Sequence, residues 1–293
     1  PIRIIVNFPP GGTVDVMTRG VAQKLTEKWG QAVVVDNRPG AGGNIGAQAV
    51  ASAEPDGYTL LATPPGPMTI NQYLYKDMRF DPAKLSSVIM MASVPNAIAA
   101  RIDFPANNVK ELIAYTKANP GKVSFGSQGN GSTSHLTGQM FATMVGSDMM
   151  HIPFKGEGPA LTEILGGRVD LFLGNISAVL KLYQNKQIKL LGVASPKRSP
   201  MANEIPASQE FGMPDFVASA WFAIAAPPGT PAPIVNKLNA AILEALKLPD
   251  TQQKMAALGG EVVGGSPSDM TTMVIAERAR WKKVIETANV KLD

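Results

Sequence analysis

The sequence predicts an α/β protein of two lobes. Short β-branched runs alternate with stretches of helical period, clusters of glycine and proline mark the junctions, and the alternation starts afresh near the middle of the 293 residues. Short strands separated by helices imply parallel sheets covered by helices, because a parallel neighbour is reached only through a crossover and the helix supplies it.

Ile2 to Phe8 is an apolar run that ends in Pro9-Pro10-Gly11-Gly12, after which Val14, Met17, Val21 and Leu25 recur at helical spacing. This reads as strand, tight turn and helix. Ala32 to Val35 is a second β run, Asn37 to Gly43 a loop, Ile45 to Val50 a short helix before Pro55-Asp56-Gly57, and Tyr58 to Ala62 a third strand. Ser87 to Ile102 is a long extended crossing. Beyond it, Val109 to Lys117 is a helix ended by Asn119-Pro120-Gly121, Val123 to Phe125 a strand, and Gly126 to Ser134 a turn feeding a helix from His135 to Val145. A strand at His151 to Phe154, a helix at Pro159 to Leu165, and strands at Val169 to Leu173 and Lys189 to Ala194 follow. Phe216 to Ala226 is the return crossing, and the tail adds helices at Pro231 to Leu246, Asp250 to Leu258 and Pro267 to Ala288. The first lobe is therefore discontinuous, 1–96 with 222–293, and the second, 97–221, is inserted into it. Two crossings between two lobes are expected to form a hinge beside a ligand cleft.

Composition narrows the chemistry. With 45% hydrophobic and 17% charged residues the chain is a folding one. The net charge of +4 favours an anionic partner, but the basic residues are scattered, without the run or aromatic-interleaved patch that nucleic acid requires. The absence of cysteine excludes disulfides, thiolate nucleophiles and thiolate-held metals. His135 and His151 lie in different segments, without the spacing that places two imidazoles on one helical face, so neither metal nor cofactor is expected. The longest apolar stretch, Val88 to Ala100, is broken by Ser93, Pro95 and Asn96, far short of the roughly 18–20 residues of a membrane span. The chain opens at Pro1, already in a strand-like pattern, as an exported chain does once its leader is removed.

Two loops have the physics of an anion cradle. In the first, Pro10, Gly11 and Gly12 carry a strand's carboxyl end into a helix N-terminus, where free N–H groups and the helix dipole favour negative charge. Asp15 falls in the first helical turn, placed either to cap N–H groups or to meet ligand or water. The second loop offers Ser127, Gly129, Asn130, Gly131, Ser132, Thr133 and Ser134 ahead of His135. It lacks the lysine of a P-loop and the third glycine of a dinucleotide fingerprint, so a carboxylate held by N–H and hydroxyl donors fits better than a nucleotide. Ser132 and His135 are close enough in sequence for a hydrolase pair, yet no third group to orient the histidine is identifiable, and His135 reads better as packing behind the loop. Lys155 follows a strand end, either reaching the cleft or solvated.

These residues together resemble the TctC/Bug family of extracytoplasmic solute-binding receptors of tripartite tricarboxylate transporters. The resemblance rests on Pro9-Pro10-Gly11-Gly12 with Asp15, Asn37 to Gly46, Pro55 to Leu60, Gly129 to Ser132 with His135, and Phe154-Lys155-Gly156 through Gly166-Gly167 with Asp170. It implies a two-lobed periplasmic binding protein fold of type II character that is not an enzyme, with a periplasmic location, a monomeric state, a small di-, tri- or aromatic carboxylate as ligand, and membrane permease subunits as partners. A signalling receptor with the same pocket is the alternative. The resemblance implicates Pro10, Gly11 and Gly12, the loop from Thr63 with Gly66, the turn Ser127 to Thr133, Lys155 with Gly156, and Asn175, and makes Asn37 to Gly46 a scaffold. Where many members carry an acidic residue before that asparagine, Gly174 stands here, so a direct or water-mediated contact is expected to be lost and the pocket to be larger.

Overall fold

The computed structural model describes residues 1–292, which divide into two compact units: Pro1–Ser93 with Trp221–Lys283 and Leu292, and Val94–Ala220 with Val284–Lys291. The first unit opens with β1 (Ile2–Val6), α1 (Thr13–Trp29), β2 (Val33–Asn37), α2 (Asn44–Ala51) and β3 (Thr59–Thr63). β1 lies between β2 and β3, parallel to both, with Ile4 opposite Val35 and Leu60. α1 buries the expected stripe of Val14, Met17, Val21 and Leu25, and it stops at Gly30, whose left-handed backbone lets its N–H reach the Thr26 carbonyl. After β3 the chain is not the plain loop that its prolines suggest. Gly66–Ile70 is a buried π-helical turn that runs into a 3-10 turn at Asn71–Tyr73.

β4 (Ser86–Arg101) is one strand of 16 residues that starts in the first unit and ends in the second. The second unit continues with α3 (Val109–Ala118), β5 (Ser124–Ser127), α4 (Thr133–Val145), β6 (Met150–Pro153), α5 (Glu157–Leu165), β7 (Leu171–Asn175), α6 (Ile176–Gln184) and β8 (Ile188–Val193). β5 is flanked by β6 and β7, all parallel, while β7 and β8 both run antiparallel to β4. The sheets are thus mixed where the sequence suggested parallel ones. α6 has no counterpart in the sequence reading, because Asn175 is both the last residue of β7 and the N-cap of the helix, leaving no glycine or proline junction. Phe125, Phe141, Phe172 and Phe216 fill this unit's core, with Phe141 and Phe216 edge to face at 5.6 Å.

The chain returns through β9 (Ser219–Ala226), α7 (Ala232–Lys247), α8 (Pro249–Ala257), β10 (Glu261–Gly264) and α9 (Pro267–Thr287). β9 runs antiparallel to β3, and the four-residue β10, too short to be seen in the sequence, runs antiparallel to the first half of β4. Ile5, Leu61, Met68, Met90, Trp221 and Met270 belong to one core here. Buried indoles need acceptors. Trp221 and Trp281 both donate to Oε2 of Glu277, at 3.2 and 2.9 Å. No helix among the described residues is long and apolar enough to cross a membrane.

Two helical glycines give opposite expectations from one substitution. At Gly20 in α1 an added Cβ meets nothing within 4 Å, so Gly20→Ala should stabilise the fold by about 0.5–1 kcal/mol through helix propensity. At Gly138 in α4 the Cβ would lie 2.2 Å from the Phe125 ring, and overpacking at about 1–3 kcal/mol outweighs the propensity gain. Denaturant midpoints that moved in the same direction for both variants would contradict this packing.

Candidate functional site

In each unit the three parallel strands point their carboxyl ends the same way, and each end feeds the N-terminus of a helical segment. That is where open α/β sheets bind ligands. In the first unit Pro10 and Gly11 are exposed, and Gly12 is the extended N-cap of α1 without a side-chain cap. Asp15 is buried and faces the loop from behind. Its carboxylate accepts the Gly11 N–H at 2.9 Å, the Arg19 Nε at 3.0 Å and the Asn37 Nδ2 at 2.9 Å. Burial pushes this carboxyl up, but Arg19, the Gly11 N–H and Asn37 outweigh it and hold it below its ordinary range. Of the two roles open in the sequence, Asp15 therefore fills the structural one.

Thr63 is also committed internally. Its hydroxyl accepts from Asn7 Nδ2 at 2.9 Å and donates to the Pro64 carbonyl, so it has no O–H to offer a ligand. Asn7 donates as well to the Gly43 carbonyl, and Asn71 donates to the Gly42 carbonyl and to Asn44 Oδ1. Gly43, at φ 91°, lies so close to Asn7 and Pro67 that a Cβ would approach either to 2.9 Å. The 37–46 stretch is thus locked under the ends of β1 and β3, with buried Gly66 at the start of the adjoining turn. Asn7 and Asn71 carry no ligand motif, and only their placement after apolar runs hinted at them.

The second unit gathers Ser127, Gly129, Asn130, Gly131, Ser132, Thr133, His135, Lys155, Gly156 and Asn175 at the ends of β5, β6 and β7. Most hydroxyls hold the loop itself. Ser132 Oγ donates to the Gly129 carbonyl at 2.6 Å and caps α4 through the His135 N–H. Ser134 Oγ accepts the Gln128 N–H, and Ser127 Oγ accepts the Gly129 N–H. Gly156 donates to the Gln128 carbonyl and precedes α5, whereas Lys155 is exposed. Thr133 differs. It is 3% exposed, its hydroxyl makes no hydrogen bond among the described residues, and neither its N–H nor that of fully buried Ser134 has a partner there. Two N–H groups and a hydroxyl therefore remain open at the positive end of α4.

His135 sits behind this cradle, as packing rather than as a base for Ser132. Its Nδ1 accepts the Gly131 N–H at 3.3 Å, and its ring stacks on His151 with centroids 3.9 Å apart. His151, weighed in the sequence only as a metal ligand, contacts Ser127 Oγ through Nε2 at 2.7 Å and stacks on Phe125. Burial pushes His135 down to about 3, with help from His151, and burial alone takes His151 down to about 4. Both rings are neutral at pH 7. Gln128 Nε2 and Asn175 Nδ2 both donate to Glu157 Oε1, at 2.7 and 2.6 Å, a clamp spread over three segments. Gly174 opens no extra space. A Cβ there would meet the Phe172 ring at 2.4 Å and Ser134 Cβ at 3.1 Å, so the absent side chain leaves no gap at that position. A separate cavity of about 690 Å³ lies at the amino ends of β1 and β3, lined by Trp29, Tyr58 and Lys237 among others, and includes none of these loop residues.

Fold and strand-end loops together define a periplasmic binding protein, and the chain superposes on the periplasmic binding protein BugD with a TM-score of 0.93 and 35% identity, covering 100% of this chain and 99% of that one. The chain belongs to the TctC family: residues 17–290 match the tripartite tricarboxylate transporter family receptor. It is similar to an R. palustris protein in a structure with adipate (38% identity, TM-score 0.96, 99% of this chain and 98% of that one). It is also similar to MatC from Rhodopseudomonas palustris with bound malate (30% identity, TM-score 0.91, 97% and 98%).

The paired histidines make stability depend on pH in a defined window. Unfolded histidine titrates near 6.5, so the unfolded chain binds more protons between that value and the folded values of about 4 and 3. Their contribution is complete above pH 6.5 and is lost as pH falls toward about 3. Melting temperature should therefore drop across this window, and in His151→Gln the drop should be shallower. Parallel curves for the two proteins would remove the histidine pair as its cause.

Proposed function

We propose that this chain is a periplasmic receptor that binds a small carboxylate reversibly, without turnover, and delivers it to the membrane permease subunits of a tripartite tricarboxylate transporter. The α4 cradle carries the reading: the Thr133 N–H, the Ser134 N–H and the Thr133 hydroxyl make no hydrogen bond among the described residues, and an anion of single charge is stabilised by such dipoles without a lysine or arginine. The family and the two relatives solved with adipate and malate support the ligand class. The divisions 1–96 with 222–293, and 97–221, are proposed as the working lobes of a monomer. Gly129, Asn130, Gly131 and Gly156 are proposed to shape the site around the cradle, and Pro10, Gly11, Gly12 and Gly66 are proposed as ligand contacts at the strand ends of the first lobe.

A panel of dicarboxylates in a thermal-shift assay tests this. A ligand at a hundredfold excess over Kd should stabilise the protein by about 2.7 kcal/mol. Its complete recovery unchanged after incubation is expected, and conversion to product above the buffer control would defeat the receptor reading. Thr133→Val keeps shape and removes one donor, so affinity should fall about ten- to a hundredfold, the worth of one charge-assisted hydrogen bond. Because the hydroxyl makes no internal bond, the melting temperature of the free variant should stay close to that of the parent. Calorimetry that found unchanged affinity would take α4 out of the site.

A further inference from the structure

Asn175 is placed to cap α6, yet it makes no side-chain cap. Its Nδ2 instead donates to Glu157 Oε1 at 2.6 Å, beside the Gln128 amide that donates to the same oxygen. A carboxylate only accepts, so Glu157 fixes which way the Asn175 amide faces. The NH2 must point to Glu157 and Oδ1 away from it. That Oδ1 is buried and has no partner among the described residues, in a side chain only 2% exposed. The preceding residue, Gly174, abuts Ser134, one of the two residues whose N–H groups form the α4 cradle. An unpaired buried acceptor thus belongs to the residue that directly follows one packed against the α4 cradle.

Resting on the carboxylate reading of that cradle, we propose that Asn175 Oδ1 receives a hydroxyl hydrogen from the ligand, so that the receptor selects hydroxy-substituted carboxylates over their unsubstituted counterparts, with Glu157 as the positioning residue. The cradle donors meet the carboxylate, and Oδ1 meets an O–H on the carbon chain. A hydroxyl needs one acceptor, which is what Asn175 supplies, whereas an ammonium needs several and loses more hydration on burial. Discrimination of this type is strong because the deoxy ligand leaves the buried acceptor unpaired.

Matched acids test the proposal: malate against succinate, and 3-hydroxyadipate against adipate, each by calorimetry on the full chain. In the pair that binds more tightly, the hydroxylated acid should be favoured about ten- to a hundredfold. In Asn175→Leu the preference should shrink to about threefold or less as the acceptor is removed. Glu157→Gln should shrink it too, since a glutamine carbonyl or amide there lets Asn175 turn over, and this variant decides the matter if Asn175→Leu does not fold. Equal binding of both acids by the parent protein would overturn the hydroxyl preference and leave the carboxylate reading standing. Failure of all four acids to bind would overturn both. A preference that survives in the folded variants would overturn the assignment to Asn175.

Discussion

A glycine N–H held by the side chain four residues further on is the interaction on which both strand-end loops depend. In Gly11-Gly12-Thr13-Val14-Asp15 the acceptor is the Asp15 carboxylate, and in Gly131-Ser132-Thr133-Ser134-His135 it is His135 Nδ1. The two glycines share a left-handed φ, 83° and 79°, the residue after each is an extended N-cap, and a threonine is the first helical residue of both α1 and α4. Tying down that N–H fixes the angle at which the chain enters the helix, and it does so from behind, so the foremost N–H groups are not used for the purpose.

The two acceptors differ in charge, and that difference sorts the loops. Asp15 is ionised and paired with Arg19, so it answers the positive end of α1 with a carboxylate of its own. His135 is neutral, because burial and the neighbouring His151 disfavour its protonation, and leaves the end of α4 without a compensating charge. With like-charge repulsion at one loop and an uncompensated dipole at the other, an anion gains more at α4. The same neutrality has a requirement: both rings must remain unprotonated, since a proton on His135 Nδ1 would displace the Gly131 N–H.

Much of this was legible in the residues. The period of Val14, Met17, Val21 and Leu25 gives α1, the Pro-Gly and Asn-Pro-Gly clusters give the junctions, and the long apolar runs give the crossing strands. What escaped has particular physical reasons. α6 starts on the last residue of β7, and Gly66–Ile70 turns helically where prolines and a glycine suggest a loop. The donors and acceptors could be read by type, but which hydroxyl stays open could not. Ser127, Ser132 and Thr133 look equivalent as letters, and only the fold shows the first two engaged with Gly129. The clamp of Gln128, Glu157 and Asn175 joins residues 29 and 18 positions apart in the chain, beyond any local pattern.

Trp29, Trp221 and Trp281 all belong to the first unit, two of them hydrogen-bonded to one glutamate, and the second unit contains none. Optically the molecule is therefore lopsided. Indole emission, which responds to the polarity around the ring and to the Glu277 contact, reports the melting of the first unit. Loosening of the second unit alone shows only in Tyr115, Tyr183 and the phenylalanines. A ligand seated at α4 leaves the indole spectrum unchanged unless its presence is felt by the other unit, which makes any emission change on binding a direct sign that the two halves of the chain are energetically coupled.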